Sequence, residues 1–194
     1  MKKNKRVLYL VSLESTIKNS IHKNQVLPFY EKGLVELLFL SPLFIFSRKK
    51  KGLNKGEYLN NNKINEIRLP ILSFFGYMNW FILPFYLSIA LPTLFFFIKK
   101  NKNYDIIHAR GYNSGLLVLM YKYLINSKIK LIFDPRSTYP EEGIIIGRWG
   151  RESISYKIWK LIEKKILINS SVTCCVSNGL KHHFENIQAA NYKY

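Results

Sequence analysis

Residues 6–40 read RVLYLVSLESTIKNSIHKNQVLPFYEKGLVELLFL, and this segment sets the kind of sheet that the chain can form. Val7 to Ser12 and Val35 to Leu40 are short apolar runs of strand length. Between them, Gln25 to Lys32 is predicted to be a helix, and Gly33 stands where a helix C-cap is expected. A strand, a helix and a second strand in this order predict a βαβ unit and a parallel sheet.

Strands and helices continue to alternate further along the chain. Strands are predicted at Ile64 to Leu69, Asp105 to Ala109, Lys130 to Phe133 and Ser171 to Val176. Helices are predicted at Leu116 to Ile125, at Ser153 to Ile168 with Ile154, Ile158, Leu161, Ile162 and Lys165 in helical register, and from Leu180 onward. Residues 134–143, DPRSTYPEEG, are rich in turn formers. The pattern indicates an α/β fold of 194 residues, enough for one domain.

The charge of the chain is strongly unbalanced. It contains 30 Lys and Arg against 12 Asp and Glu, which gives a formal net charge of +18. An anionic partner (anionic lipid, a phosphorylated substrate or nucleic acid) explains such an excess, and so do solvated lysines that bind nothing. We do not expect a nucleic-acid partner, because the aromatic residues fall in an apolar run rather than between basic residues.

Several classes of site are excluded by the absence of their motifs. The sequence has no P-loop, no GxGxxG fingerprint, no nucleophile elbow and no ligand-spaced Cys or His set. Its two cysteines, Cys174 and Cys175, are adjacent, which strains a disulfide and suits a reducing cytoplasm. We therefore expect neither a metal nor a cofactor bound by this chain.

A long uncharged segment raises the question of membrane contact. Residues 69–98 carry no charge, and Trp80 to Ile98 as a helix would be about 28 Å long at 1.5 Å per residue, close to a bilayer core. Pro84 and Pro92 interrupt the run, which favours a helix packed on the sheet with an aromatic face toward the bilayer, although a single span stays open. The membrane-contact candidates are Trp80, Phe81, Phe85, Phe95, Phe96, Phe97, Lys99 and Lys100.

Polar residues follow the predicted strands, where ligands bind in open parallel sheets. The candidates are His108, Arg110, Asp134, Arg136, Glu141 and Glu142, with Ser177, Asn178 and Gly179 after the last strand. Arg136 could bind a phosphate, and Asp134 or His108 a hydroxyl. Equally, Asp134 and Arg136 could form an internal salt bridge, with both Glu residues solvated and His108 satisfied in the core. His182 and His183 are predicted to lie on the surface.

Four segments resemble GT-B glycosyltransferases of family 4, in particular those that build bacterial surface polysaccharides. They are NQVLPFYEKG (24–33), NYDIIHARGYNSG (103–115), KLIFDPRSTYPEEG (130–143) and GRWGRESISYKIWKLIEKKILINSSVTCCVSNGLKHHF (147–184). The third is the most specific. Ser137 replaces the usual Gly, the first loop SLESTIKNS lacks the Gly pair of many relatives, and the E-x7-E signature is absent.

The resemblance implies a Rossmann-like domain with helices on both faces, over residues 1–185, and a tail at 186–194 where a second domain would start. It also implies transfer of a hexose from a nucleotide-sugar to a lipid-linked or saccharide acceptor, with no activity in this chain alone because the donor binds to the other half. Asp134 and Arg136 would line the acceptor side, with His108 and Arg110 nearby and Glu141 and Glu142 shaping the loop.

Two partners and one alternative follow from the same reasoning. The domain would meet an anionic membrane surface at the cytoplasmic face of the cell membrane, and a separate chain could supply donor binding. The alternative is a non-enzymatic scaffold that is anchored by the apolar segment.

Overall fold

The computed structural model describes residues 6–13, 35–44, 65–71, 82–101 and 104–189. Its strands are β1 (Val7–Ser12), β2 (Val35–Phe44), β3 (Asn65–Ile71), β4 (Ile106–Arg110), β5 (Lys130–Asp134) and β6 (Val172–Thr173). They form one six-stranded sheet in the order β3-β2-β1-β4-β5-β6, and every pair is parallel. The predicted parallel α/β sheet is confirmed, in the strand order of a Rossmann-like fold.

The described helices are α1 (Leu83–Lys100), α2 (Gly111–Leu124), α3 (Tyr139–Ile145), α4 (Ile154–Asn169) and α5 (Asn178–Ala189). The helix predicted at Gln25 to Lys32, with Gly33, lies outside the described residues, as do Trp80 and Phe81. Residues 186–189 of the predicted tail belong to α5.

Side chains alternate between the two faces of the sheet, and both faces of the central strands are buried. One face carries Leu8, Leu10, Ile107, Leu131 and Phe133, all 0% exposed, in a core cluster with residues of α1, α2, α4 and α5. The other face carries a second buried cluster of Tyr9, Val11, Leu37 and Phe39. The described helices therefore cover one face, while the polar side chains of β4 and β5 alternate onto the other.

Three predicted boundaries were wrong. Helix α2 begins at Gly111, directly after β4, rather than at Leu116. The turn-rich segment after β5 contains α3, because Pro140 lies in the first turn, where a missing N–H costs nothing. The last strand is only Val172–Thr173 instead of Ser171 to Val176.

Helix α4 was predicted at nearly its observed bounds, but the residues that showed its helical register are not its buried residues. Its buried residues are Trp159, Glu163, Ile166 and Leu167, whereas Ile154 and Leu161 are exposed. The buried stripe follows i, i+4, i+7, as a packed helix requires. It includes a carboxylate, which no apolar pattern reveals.

Helix α1 has Pro84 in its first turn, where a proline fits, and it continues through the interior Pro92 as one helix from Leu83 to Lys100. Leu83, Tyr86, Ala90, Leu94, Phe97 and Ile98 face the core. By length and composition α1 is the one described helix that could cross a membrane, but a core helix of a soluble protein meets the same criterion. Helix α1 connects β3 to β4 and packs against the sheet.

Candidate functional site

The strand order reverses between β1 and β4, and polar groups gather where these strands and β5 end. Ser12 ends β1, Arg110 ends β4 and Asp134 ends β5. In the register of the sheet, Val11 lies beside Arg110 and Arg110 lies beside Asp134. The carboxyl edge at such a reversal is where open α/β sheets bind their ligands.

His108, Arg110 and Asp134 point to the sheet face opposite the described helices, because they alternate with the core residues Ile107, Ala109 and Phe133. Arg110 is 4% exposed and Asp134 is 6% exposed. The Arg110 Nη1 donates to the Tyr9 hydroxyl at 3.5 Å, and the rings of Tyr9 and His108 meet edge-on with centroids 4.7 Å apart. A buried guanidinium and a buried carboxylate thus sit on adjacent strands.

The imidazole of His108 lies 3.9 Å from the Asp134 carboxylate, measured from Nε2 to Oδ2. This is too long for a hydrogen bond, and Nε2 has no hydrogen-bond partner among the residues that the structure describes. Burial, and secondly the nearby Arg110, lower the pKa of His108 to about 4. The imidazole is therefore neutral at neutral pH and can bind a hydroxyl group.

Arg136 reaches back to the end of β5, with its Nη1 3.8 Å from Asp134 Oδ1. Its φ of 67° lies in the left-handed region, which is unfavourable for a residue with a Cβ. Such strain persists where the surroundings enforce it, often at binding sites. The sequence left open whether Arg136 pairs with Asp134 or binds a phosphate. The ion pair is present, but at 3.8 Å it is too long for a hydrogen bond, so the guanidinium can still bind a phosphate.

Glu141 and Glu142 lie in the first turn of α3 and not in a loop, which corrects the prediction. Glu141 accepts a hydrogen bond from the Tyr156 hydroxyl at 2.9 Å and lies 3.6 Å from Lys160 Nζ, so it joins α3 to α4. Glu142 accepts from the Ser137 hydroxyl at 2.9 Å. Because Ser137 follows Arg136, Glu142 braces the backbone of the strained residue.

A second polar network at the carboxyl edge was not anticipated. The Ser12 N–H donates to Ser114 Oγ at 2.8 Å, and the Ser12 and Tyr86 hydroxyls are 2.7 Å apart. Tyr86 also donates to the Asn113 carbonyl at 3.3 Å. The network joins β1, α1 and the first turn of α2. The only sequence signal was the polar run after β4.

The buried Glu163 is a further residue that the sequence did not single out. Its carboxylate is 0% exposed and accepts hydrogen bonds from Tyr112 Oη and Lys160 Nζ, both at 2.5 Å. His183 Nε2 is 3.6 Å from the same carboxylate, so His183 is partly buried, contrary to the prediction, while His182 is exposed. The cluster fixes Tyr112, two residues after Arg110, against α4 and α5.

The membrane-contact candidates on α1 divide into two groups. Phe85 and Phe96 are 37% and 64% exposed, Lys99 and Lys100 are exposed, and Phe95 is partly buried. Phe97 is 9% exposed and its ring stacks on Tyr104, with centroids 6.4 Å apart. Phe97 is therefore a core residue and does not belong among the candidates.

The last strand end contributes Cys174, whose N–H donates to the Phe133 carbonyl at 2.8 Å. Burial, then Asp134 and Cys175, raise the pKa of its thiol. Cys174 and Cys175 are both free.

Within the described ranges no group of three His, Cys, Asp or Glu residues could hold a metal ion. Ser177 accepts from the Leu180 N–H at 3.2 Å and thus belongs to the start of α5.

Comparison with known proteins identifies the fold. No family model matches the chain, and no curated protein matches it. A putative UDP-N-acetylglucosamine 2-epimerase from Listeria monocytogenes superposes with a TM-score of 0.59 at 10% identity, over 97% of this chain and 43% of that protein. Sucrose-phosphate synthase from Thermosynechococcus elongatus superposes with a TM-score of 0.57 at 13% identity, over 94% and 45%.

The chain has the fold of one GT-B domain. It spans less than half of the length of either similar structure. At these identities the likeness concerns the fold alone, and function depends on the residues at the carboxyl edge.

Proposed function

We propose that this chain is the acceptor-binding part of a family 4 glycosyltransferase, which moves a hexose from a nucleotide-sugar to a lipid-linked or polysaccharide acceptor. Two observations support the proposal. The fold is a GT-B-type Rossmann-like domain, and the similar structures include proteins whose names refer to sugar nucleotides or sugar phosphates. The motif resemblance of residues 103–115 and 130–143 narrows this to enzymes of surface-polysaccharide synthesis.

The observation that carries the proposal is the grouping of His108, Arg110, Asp134 and Arg136 at the carboxyl edge. Guanidinium groups bind phosphate oxygens with two parallel hydrogen bonds. A neutral imidazole and a carboxylate accept hydrogen bonds from hydroxyls. An acceptor that carries a phosphate and a sugar hydroxyl matches this set: the hydroxyl would donate to the Asp134 carboxylate and accept from His108 in the tautomer that carries its proton on Nε2.

The donor would be bound elsewhere in the complete enzyme. No glycine-rich turn follows β1 in the sequence, although such a turn is what commonly binds the phosphates of a nucleotide at this place. We therefore propose that the chain alone has no turnover, and that a donor-binding half, in the same or a separate chain, completes the site. The protein would work at the cytoplasmic face of the cell membrane, bound to anionic lipid.

Binding of a soluble short-chain alkyl diphosphate sugar, measured by calorimetry, tests the acceptor site. We expect Arg136→Ala to weaken binding by roughly tenfold to a hundredfold, because it removes a charge-assisted hydrogen bond. Arg151→Ala removes an exposed arginine outside the cluster and is expected to leave the affinity unchanged. A UDP-hexose is expected to show no binding to the chain alone.

Two results would contradict the proposal. Equal losses in Arg136→Ala and Arg151→Ala would mean that the sugar phosphate meets only diffuse positive charge. No acceptor binding, together with retention on membranes, would favour the alternative of a non-enzymatic membrane-associated scaffold.

A further inference from the structure

The amino edge of the sheet, opposite the candidate site, carries exposed apolar side chains. Helices α1, α2 and α4 each run from the carboxyl edge to the amino edge, because each connects parallel strands. Exposed residues cluster at their C-terminal ends and form what we call the amino-edge patch: Phe96 (64% exposed), Tyr123 (57%), Leu124 (64%), Ile125 (41%) and Ile168 (51%). Three of them are consecutive at the end of α2.

The ends of α2 and α4 are held together at this edge. Lys122 Nζ donates to the Asn169 carbonyl at 3.3 Å, which brings Ile168 next to the last turn of α2. Ile125 N–H and Asn126 N–H both donate to the Tyr121 carbonyl, so the turn that presents Leu124 and Ile125 is ordered by backbone hydrogen bonds. The patch is a built surface rather than a set of unrelated exposed residues.

Lysines surround the patch. Lys99 and Lys100 end α1, Lys122 ends α2, and the exposed Lys128 and Lys130 lead into β5. Two carboxylates lie at the starts of β4 and β2: the exposed Asp105 accepts from the Arg6 backbone N–H at 3.1 Å and keeps its charge, whereas Glu36 forms a 2.8 Å ion pair with the Arg6 guanidinium. Among the described side chains around the patch, the five lysines outnumber the one unneutralised carboxylate, so the charge that faces solvent there is positive.

Lysines at helix C-termini also complement the helix dipole, and this alone could explain their positions. It does not explain why Tyr123, Leu124 and Ile125 face solvent, since an ordinary helix end would carry polar residues there. Tyrosine and aliphatic side chains ringed by lysine are the composition that binds the headgroup layer of an anionic bilayer.

We propose that the protein docks on an anionic membrane through the amino-edge patch, with α1 standing on its C-terminal end. This rests on the proposed membrane association and adds where the lipid binds. If α1 instead lay flat on the membrane, Phe85 would also enter the lipid. Phe85 is eleven residues before Phe96, about 16 Å away along the helix, so the two docks place it differently.

Sedimentation of the full chain with vesicles of phosphatidylcholine, with and without phosphatidylglycerol, tests the dock. The double substitution Tyr123→Ser and Leu124→Ser is expected to lower partitioning to the anionic vesicles by at least about tenfold. The matched control is Ile145→Ser with Ile146→Ser, two consecutive exposed residues beyond the carboxyl edge, which are 82% and 57% exposed. Ile168→Ser, on a different helix, should weaken binding as well.

Charge is tested separately. Lys99→Ser with Lys100→Ser is expected to weaken binding to the anionic vesicles by about thirtyfold in low salt, an effect that high salt removes. The control is Lys157→Ser with Lys181→Ser, exposed lysines that are paired with Glu152 and Glu185 away from the amino edge.

Each contrary outcome identifies what fails. If Phe85→Ser weakens binding and the Tyr123/Leu124 variant does not, α1 lies flat and the inference is wrong, while membrane association stands. If the wild-type chain binds neither type of vesicle, or binds only RNA, membrane association and the inference fall together, while the acceptor-site test with the soluble sugar is unaffected.

Discussion

At the scale of single residues, Gly143 shows how tightly the segment after β5 is packed. A Cβ at this position would overlap two carbons of the Trp149 ring. The Trp149 indole N–H donates to the Pro140 carbonyl at 3.0 Å, and its ring contacts Tyr139. The absence of a side chain at residue 143 is therefore what lets Trp149 cover α3, the helix that carries Glu141 and Glu142.

We expect Gly143→Ala to lower the free energy of unfolding by about 2 kcal/mol, since the indole must move and lose its hydrogen bond. Urea unfolding measures this. Gly150→Ala is the control, because a Cβ there meets nothing within 4 Å. If the two alanines behave alike, the contact between Gly143 and Trp149 is not a constraint.

His108 predicts a pH dependence of stability. Its pKa falls from 6.5 to about 4 on folding, so between these values the unfolded chain binds more protons. The contribution of the neutral His108 to the free energy of unfolding is on the order of 3 kcal/mol. It is complete above pH 6.5 and is lost as the pH falls toward 4. We expect His108→Gln to flatten the loss of stability over this range in urea titrations. His182→Gln, at an exposed position, should keep the wild-type slope.

At the scale of elements, a buried hydroxyl pair fastens α1 to the carboxyl edge. Tyr86 is 1% exposed, and its hydroxyl joins Ser12 of β1 to the Asn113 carbonyl of α2. Helix α1 is thus fixed to the candidate site by polar contacts as well as by apolar packing.

Tyr86→Phe is expected to lower the free energy of unfolding by about 1–2 kcal/mol, because the buried Ser12 hydroxyl loses its partner. Tyr123→Phe, which removes an exposed hydroxyl, provides the comparison. Equal unfolding midpoints for the two variants would show that water replaces the lost contact at Ser12.

The elements also show what the sequence could and could not reveal. β1 and β5 were predicted almost to the residue, because buried parallel strands are continuous apolar runs. The start of α2 was missed, since Gly111, Asn113 and Ser114 are poor helix formers and Ser114 is used to bind the Ser12 N–H. His108, Arg110 and Asp134 were grouped because they follow predicted strands, and in the structure they lie near one another, while their role in binding stays a prediction. Glu163 was missed because a charged residue in a helix usually faces water.

At the scale of the whole molecule, the sheet decides how the protein can meet a membrane. The strands that flank α1, β3 and β4, belong to the same sheet, and six side chains of α1 are buried in the main core. A transmembrane position would require these contacts to break.

We therefore expect the native protein to leave cell membranes on washing with high salt or alkaline carbonate, and to appear in the supernatant after sedimentation. In the proposed dock, charge and a small apolar patch hold the protein on lipid, and both treatments weaken the charge contribution. Retention in the pellet after both washes would show that α1 spans the bilayer.

The direction shared by α1, α2 and α4 has a consequence for acceptor length. It places the amino-edge patch and the cluster around Asp134 at opposite ends of strands such as β5, whose five residues span about 17 Å. With the patch on lipid, the phosphate next to the lipid anchor of an acceptor would have to rise by about this distance to reach Arg136, whereas a phosphate within a saccharide several units long would reach it directly. The height of the sheet would then act as a ruler that favours elongation of existing chains over their initiation.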